Sequence, residues 1–291
     1  MTNWLNIHLP DTAPLLHFVH KIKVVGMAVK TVINHVSILF MIKESNNPLL
    51  RQFIYNTIVK LPTRNTFHRV WVRQNPKLPK IGTLPILLYA NHTSWWDGYM
   101  VSVLMHELWR PAMSSLMVEA ETLRKYSFLR YLGAFGVDRE NPRDGIAAIQ
   151  HAVTKLNGQP YGVVAIFPQG KFYHPEARPL HFYNGVGLIA KQAVTTTGAC
   201  ALVPLALRYE FVREQKPEAF LHIGTPTFVN NTHPIYNNAK ALTGHMEQTL
   251  IAEMEILHAD CVAYRLGSFS SLLSGNMGVQ QWWDTVRPSS I

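Results

Sequence analysis

The hydrophobic pattern changes character at about residue 62. Val24–Ile42 reads VVGMAVKTVINHVSILFMI, a run that is mostly apolar. Lys30 and Asn34 lie four apart with His35 beside them, so the polar groups fall largely on one side of a helix. A membrane-spanning helix takes about 20 predominantly apolar residues. This segment has nearly that length, yet Lys30 stands close to its centre, where a charge is costly. The pattern predicts an interfacial amphipathic helix lying on a bilayer, and leaves a true span and an ordinary core helix as the other readings. Lys21, Lys23 and Lys43 near its ends suit anionic headgroups. Asn47-Pro48 then punctuates, and Leu49–Lys60 predicts a second helix, which makes an N-terminal amphipathic helical hairpin.

Beyond it, short apolar runs alternate with longer helical patterns. Phe67–Val72 reads as a strand, the Pro- and Gly-bearing stretch Asn75–Pro85 as a loop, and Ile86–Ala90 as a buried strand. Helices are expected at Asp97–Leu108, Ala120–Tyr131, Gly145–Leu156 and Val186–Val194, with a long final helix at Lys240–His258. Strands are expected at Gly162–Phe167, Ala201–Leu207 and Ala219–Ile223. The alternation predicts an α/β fold, a mixed and mainly parallel sheet flanked by helices. Three regions follow: a membrane-associating helical region at 1–62, the α/β body at 63–265, and a C-terminal tail at 266–291. The tail is rich in Ser and Gly but carries Trp282-Trp283, so it either docks loosely or touches the membrane a second time.

Composition narrows the class of partner. The 291 residues suit one large domain, or one domain with a helical appendage. Hydrophobic residues make up 47% and charged residues 15%. The usual charged share is about 25%, so wholesale disorder is excluded and little polar material is left to cover a surface that faces only water. Lys and Arg number 27 against 18 Asp and Glu, a net charge of +9. A basic chain that is short of charges favours an anionic, partly apolar partner such as a membrane surface or a polyphosphate cofactor. Without a dense Lys/Arg run, nucleic acid is not expected. Cys200 and Cys261 make no disulfide scaffold, no CxxC or Cys/His ladder proposes zinc, and a reducing compartment fits that usage. Met1-Thr2-Asn3-Trp4 opens without a basic n-region, so no signal peptide is expected.

The chemistry concentrates in Ile86–Gly98, ILLYANHTSWWDG. A buried strand ends at Ala90, the chain presents Asn91 and His92, and Thr93 and Ser94 are good N-cap residues for a helix entering Trp95–Asp97. A histidine at a strand-to-helix junction sits at the mouth of an α/β sheet, where ligands bind. The positive end of the helix dipole is expected to keep His92 neutral and able to accept a proton. Asp97, five residues on, is placed to fold back and hold the other ring nitrogen, a base with its orienting carboxylate. The spacing alone is weak, and a satisfied histidine beside an exposed aspartate is the plain alternative.

Three further blocks join it. Asn91-His92-Thr93-Ser94-Trp95-Trp96-Asp97, Gly133-Ala134-Phe135-Gly136-Val137-Asp138-Arg139, Phe167-Pro168-Gln169-Gly170 and Val203-Pro204-Leu205-Ala206 stand in order. Together, over about Val70 to Leu207, the chain resembles the glycerophospholipid acyltransferase family, the lysophosphatidic acid acyltransferase-like enzymes with their HX4D motif. The resemblance implies transfer of a fatty acyl group from acyl-CoA or acyl-ACP, as co-substrate, to the hydroxyl of a lipid acceptor. No cofactor, no metal and no nucleophile of the enzyme's own is implied. His92 would deprotonate the hydroxyl and Asp97 would orient the ring. Backbone N–H groups at the helix start or in the 167–170 turn would hold the oxyanion. Asn91, Ser94, Arg139, Pro168, Gln169, Gly170 and Lys171 are the implied substrate contacts. Arg139 lies near an acceptor phosphate in that reading, or simply in a surface pair with Asp138, and Arg143 is in reserve. The implied location is the cytoplasmic face of a membrane.

Several positions depart from the family pattern. Gln169 stands where the family has Glu, and Lys171-Phe172 where it has Thr-Arg. An amide cannot act as a base, and a lysine is a point charge rather than a planar fork. Asn184 replaces a family lysine. The acceptor therefore stays open between lysophosphatidic acid, another lysolipid, and a neutral glycolipid or terpenoid alcohol. Gly185 and Gly187 either let the backbone approach a phosphate or are turn glycines. Trp95-Trp96 either walls the acyl path or packs in the core, and no metal is expected at His174 and His181. A thioester hydrolase and a non-catalytic lipid-binding protein are the rival classes.

Overall fold

The structure, a computed structural model, describes residues 41–277 except Arg110 and Arg213. The amphipathic segment up to residue 40 and Trp282-Trp283 lie outside the described residues.

Strand β2 (Ile86–Ala90) is buried at every position and forms the middle of the sheet. It pairs in parallel with β5 (Val163–Ile166) on one side and β6 (Ala199–Glu210) on the other. Adding β1 (Arg69–Gln74), β3 (Ser114–Glu119), β4 (Ala134–Val137), β7 (Glu218–Ile223) and β9 (Ser270–Ser274) gives the order β4-β3-β5-β2-β6-β7-β1-β9. A short β8 (Thr227–Asn230) pairs with β6 off that path. Pairs from β4 to β6 are all parallel, as is β1 with β7. Strand β6 meets β7 and β8 antiparallel, and β9 runs antiparallel to β1. The sheet is thus mixed and mainly parallel, as the alternation predicts.

Alternate residues of β2 serve opposite cores, the consequence of a period of two. Ile86, Leu88 and Ala90 face one core, built with α1 (Pro48–Ile54) and α3 (Trp96–Glu107). Leu87 and Tyr89 face the other, built with α5 (Pro142–Leu156), α6 (Gly185–Thr197) and α7 (Ala239–Val262). A parallel sheet covered on both faces needs such fully apolar strands. Helix α5 shows the complementary pattern, with Ala148, Ala152 and Leu156 buried along one stripe. It begins at Pro142, earlier than expected, because Asn141 Oδ1 accepts the N–H of Arg143 at 3.1 Å and caps it.

Four strands lie outside the expected set: β3, β4, β8 and β9. Polar Ser114-Ser115 and the brief Ala134–Val137 conceal β3 and β4. The expected helix Ala120–Tyr131 splits into α4 (Ala120–Lys125) and a 3-10 turn at Ser127–Leu132. The tail is docked as far as Ser274, since β9 extends the sheet and Phe269 and Leu273 are buried.

The second helix of the expected hairpin also belongs to the body. Helix α1 runs through a π turn at Tyr55–Lys60 into α2 (Leu61–Thr66), where Pro62 brings no N–H. Ile54, Tyr55 and Val59 are buried in the first core, and a compact unit begins at Met41. Residues 41–62 therefore pack with the α/β body. Ile42 O accepts the N–H of Gly136 at 2.8 Å, and Ser45 N–H donates to Arg130 O at 2.9 Å, so this stretch covers β4.

Glu44 fastens that stretch to α5, accepting from His151 Nε2 at 2.8 Å and pairing with Lys155. Burial opposes its charge, but the hydrogen bonds from His151 and Lys155 prevail and hold the carboxyl at about 2 instead of 4.5. A carboxyl depressed on folding contributes stability that is complete above its unfolded value and lost as pH falls through the folded one. Glu44→Gln is expected to cost about 1–3 kcal/mol at neutral pH. Denaturant melts of variant and wild type should converge as pH drops from 4.5 towards 2; a constant gap across that range would refute the assignment.

Candidate active site

The carboxyl ends of β2, β3, β4 and β5 converge on one side of the sheet, where ligands of open α/β sheets bind. Beyond Ala90 the chain leaves β2 while β6 continues. The Asn91 amide bridges the difference, donating to Leu207 O at 2.9 Å and accepting from Leu207 N at 2.8 Å. A side-chain amide offers the same donor and acceptor as a peptide group. Asn91 is fully buried by this clamp and braces the turn, at a position where the family resemblance implies a substrate contact.

His92 follows with its backbone held at both ends. Its N–H donates to Gln169 Oε1 at 2.6 Å, and its carbonyl accepts from Tyr173 N at 2.9 Å. The imidazole lies between two rings, stacked on Phe167 at 4.2 Å and tilted against Phe172 at 4.4 Å. Its Nδ1 is 2.9 Å from Asp97 Oδ2. An ionised carboxylate only accepts, so Nδ1 carries the proton and Nε2 is the basic nitrogen.

Asp97 has no exposed surface. Besides His92, its Oδ2 accepts Thr93 N–H at 2.6 Å and Ser94 N–H at 2.8 Å, and its Oδ1 accepts the Tyr209 hydroxyl at 2.7 Å. Burial, then the Asp97 charge, push the Tyr209 hydroxyl well above its ordinary value, so it stays a donor. Ser94 Oγ accepts Trp96 N–H at 3.0 Å, a bond that holds the entry to α3, whose N-cap position is Trp95, where the family resemblance implies a substrate contact. The Thr93 and Ser94 amides, once candidates for an oxyanion, are committed to Asp97.

Gln169 is 1% exposed, and its carbonyl is occupied by His92 N–H. Gly170 closes the turn with its N–H on Phe167 O at 3.0 Å and φ of +67°. A Cβ there would be strained and would run into the Arg139 guanidinium. Arg139 Nη2 donates to Glu119 Oε1 at 2.9 Å, and the guanidinium lies 5.3 Å from the Tyr183 ring. Its partner is Glu119, not the Asp138 of the plain alternative.

These groups line a cavity of about 550 Å³, within the usual range for small-molecule sites. His92, Arg139, Pro168, Gly170 and Lys171 are on its wall, among mostly apolar neighbours. The two tryptophans divide the roles proposed for them: Trp95 lines the cavity, whereas Trp96 packs edge-on against Phe67 at 4.9 Å. Gly185 reaches the cavity, but Gly187 does not, because a Cβ there would strike α7 at Ala239 and Thr243. Among the described residues no group of three or more His, Cys, Asp or Glu is placed to hold a metal ion.

Tyr209 and Glu119 are site residues that the sequence pattern did not single out, and Phe167, quoted only as part of its block, is the ring stacked on His92. The signal for Tyr209 was the continuation of the β6 alternation beyond Leu207. With this geometry in view, residues 69–208 match the family described as Acyltransferase. The chain carries a domain of the acyltransferase family. The resemblance to the lysophosphatidic acid acyltransferase-like enzymes is thereby borne out.

Over 131 residues the chain is 30% identical to a 1-acyl-sn-glycerol-3-phosphate acyltransferase of Streptococcus pneumoniae, covering 42% of this chain and 45% of that protein. The match thus spans less than half the length of that curated relative. Among solved structures it is similar to the 1-acyl-sn-glycerophosphate (LPA) acyltransferase PlsC from Thermotoga maritima. That match is 18% identical, covers 79% of this chain and 89% of the other, and has a TM-score of 0.49.

Tyr209→Phe removes the donor on Asp97 Oδ1 with little change of shape. A loss of about 1.5–3 kcal/mol is expected, the worth of a hydrogen bond to a charged group. Chemical denaturation measures it, and an unchanged midpoint would mean that the hydroxyl contributes nothing to holding the carboxylate.

Proposed function

We propose that this protein moves a fatty acyl group from an acyl thioester, acyl-CoA or acyl-ACP, to the hydroxyl of a lipid acceptor, lysophosphatidic acid or a related lysolipid. The observation that carries the proposal is the 2.9 Å contact between His92 Nδ1 and Asp97 Oδ2 on the wall of an apolar cavity. His92 Nε2 takes the hydroxyl proton as the acceptor oxygen attacks the thioester carbonyl. The tetrahedral intermediate then expels the thiolate, which recovers that proton from the imidazolium. Asp97 fixes the tautomer and offsets the positive charge that develops on the ring. Arg139 and Lys171 are the cations on the wall and would meet the anionic groups of either substrate.

A peripheral place on the cytoplasmic face of a membrane suits substrates that partition into lipid. It is supported by Leu49, Phe53 and Leu61, which α1 and α2 leave exposed, and by the exposed Trp95 on the cavity wall. Among the described residues no helix is long and apolar enough to cross a membrane.

A second reading keeps the chemistry and changes the acceptor to a neutral lipid such as a glycolipid or terpenoid alcohol. It is favoured by Phe172, an uncharged ring against His92 that is half exposed at the cavity, and by the uncharged Gln169 behind it.

Acyl transfer to a panel of lysolipids and neutral alcohols, with one labelled acyl-CoA, tests both readings. His92→Ala should lower kcat by about 10²–10⁴-fold, and Asp97→Asn by up to about 10⁴-fold through loss of the correct tautomer. Vesicle binding should survive both changes. Undiminished transfer in His92→Ala would end the proposal, and free fatty acid as sole product would make the protein a hydrolase. Gln169→Glu combined with Phe172→Arg should raise lysophosphatidic acid relative to neutral alcohols by about tenfold. An unchanged ranking removes the second reading.

A further inference from the structure

The carboxylate that orients His92 divides its charge between two sets of donors. Asp97 Oδ2 takes His92 Nδ1 at 2.9 Å and the amides of Thr93 at 2.6 Å and Ser94 at 2.8 Å. Oδ1 takes the Tyr209 hydroxyl at 2.7 Å. The Oδ2 donors all come from the turn that leads into α3. Tyr209 instead reaches in from β6, 112 residues further along the chain, and belongs to none of the four sequence blocks.

Packing aims the phenol. Its ring lies 5.7 Å from Phe67, which is buried and meets Trp96 edge-on, and the three rings join the core on the α1/α3 face. Two residues earlier, on the same face of β6, Leu207 is held at both backbone groups by the Asn91 amide. The hydroxyl is thus brought to Oδ1 by a strand whose register is fixed, and burial together with the Asp97 charge keeps it a donor. A hydrogen bond donated to a carboxylate stabilises the ionised form and lessens its pull on a proton held elsewhere.

Other charges nearby do not replace this contact. Phe167 and Phe172, the rings against His92, are neutral. Lys171 and Arg139 stand on the cavity wall, and Arg139 is paired with Glu119. Arg208 and Glu210 flank Tyr209 but belong to the opposite face of β6, where Arg208 pairs with Glu210 and Glu176. Among the described residues, Asp97 is the one ionisable group bonded to the imidazole.

We propose that Tyr209 is a positioning residue for acyl transfer. Through Asp97 Oδ1 it fixes the carboxylate against His92 Nδ1 and tempers the negative charge that the ring meets. This rests on the acyl-transfer reading and names a residue outside the HX4D block on which that chemistry depends.

Tyr209→Phe, made in the full chain, removes the donor and keeps the ring. It should lower kcat about tenfold and leave KM unchanged, the pattern of an interaction that counts only in the transition state. The acid limb of kcat/KM should move up by about half a pH unit, because a carboxylate charge no longer shared holds the ring proton more tightly. Site-specific 3-fluorotyrosine at position 209 makes the hydroxyl a stronger donor with little change of shape, and should move the limb the other way. In an Asp97→Asn background, Tyr209→Phe should cost no more than about twofold, since the group it acts through has lost its charge.

A tyrosine that only packs would lower the melting temperature and leave the acid limb in place. That result overturns the proposal, as does a full tenfold loss on top of Asp97→Asn. If Tyr209→Phe does not fold, the direction of the fluorotyrosine shift decides alone. Should the wild type transfer no acyl group, it is the acyl-transfer reading that falls. Nitrogen NMR of labelled histidine, with the His92 signal assigned by its loss in His92→Ala, then judges Tyr209. Opposite displacements of the ring's titration in the two variants uphold its role, and unmoved titrations overturn it.

Discussion

A carboxylate without access to water must be matched by donors on every side, or its burial costs more than the fold can offset. Asp97 meets that condition with two backbone amides, an imidazole and a phenol. The amides come from the turn that leaves β2, the phenol from the far end of β6, and the carboxylate itself from the first turn of α3. One charge therefore ties the exit of the central strand, the start of the helix and the neighbouring strand into a single arrangement. The imidazole is the only one of the four donors with a basic atom to spare. The group that needs the most support in folding is thus the group that aims His92.

Strand β6 makes this possible by its length. It runs past the point where β2 stops, and the surplus residues supply Leu207 for the Asn91 clamp and Tyr209 for Asp97. Across β2, the turn after β5 performs the matching task. Phe167 lies beneath the ring, Gln169 takes the His92 N–H and Tyr173 donates to its carbonyl. The histidine is positioned by neighbours on both sides of its own strand, and few of these contacts involve residues adjacent to it in sequence.

That distribution explains how much was legible beforehand. The α/β class, the buried β2 and β5 and the His92–Asp97 pair were readable because each is written in a local run of residues. Period-two burial, cap chemistry and a five-residue spacing all lie within reach of a short window. Tyr209 and the clamp made by Asn91 were not readable, since each depends on the register of β6 against β2. Strands β3 and β9 escaped for a related reason. Ser114-Ser115 and Ser270-Ser271 are polar, and only pairing with a neighbouring strand reveals them as sheet. Leu49–Lys60 reads as part of a hairpin with the apolar segment before it because its outer face, with Leu49 and Phe53, is apolar too. The buried side, Ile54, Tyr55 and Val59, docks on the body, and a sequence with two apolar faces does not say which one is covered.

The charges around the histidine explain why the departures at positions 169 and 172 leave the site coherent. The position of Gln169 calls for an acceptor to the His92 N–H, and an amide oxygen serves as well as a carboxylate. A glutamate there would add a second buried negative charge close to Asp97, which would then need a cation of its own. With Gln169 and Phe172 both neutral, no such cation is required. Asp97 is matched locally, Arg139 is matched by Glu119, and Lys171 is exposed on the cavity wall. The two substitutions are therefore compensating. Removing the carboxylate removes the need for a cation beside it, and the place next to the imidazole is open to an aromatic ring. The electrostatics that orient His92 are retained, while the cavity wall beside the ring is made more apolar.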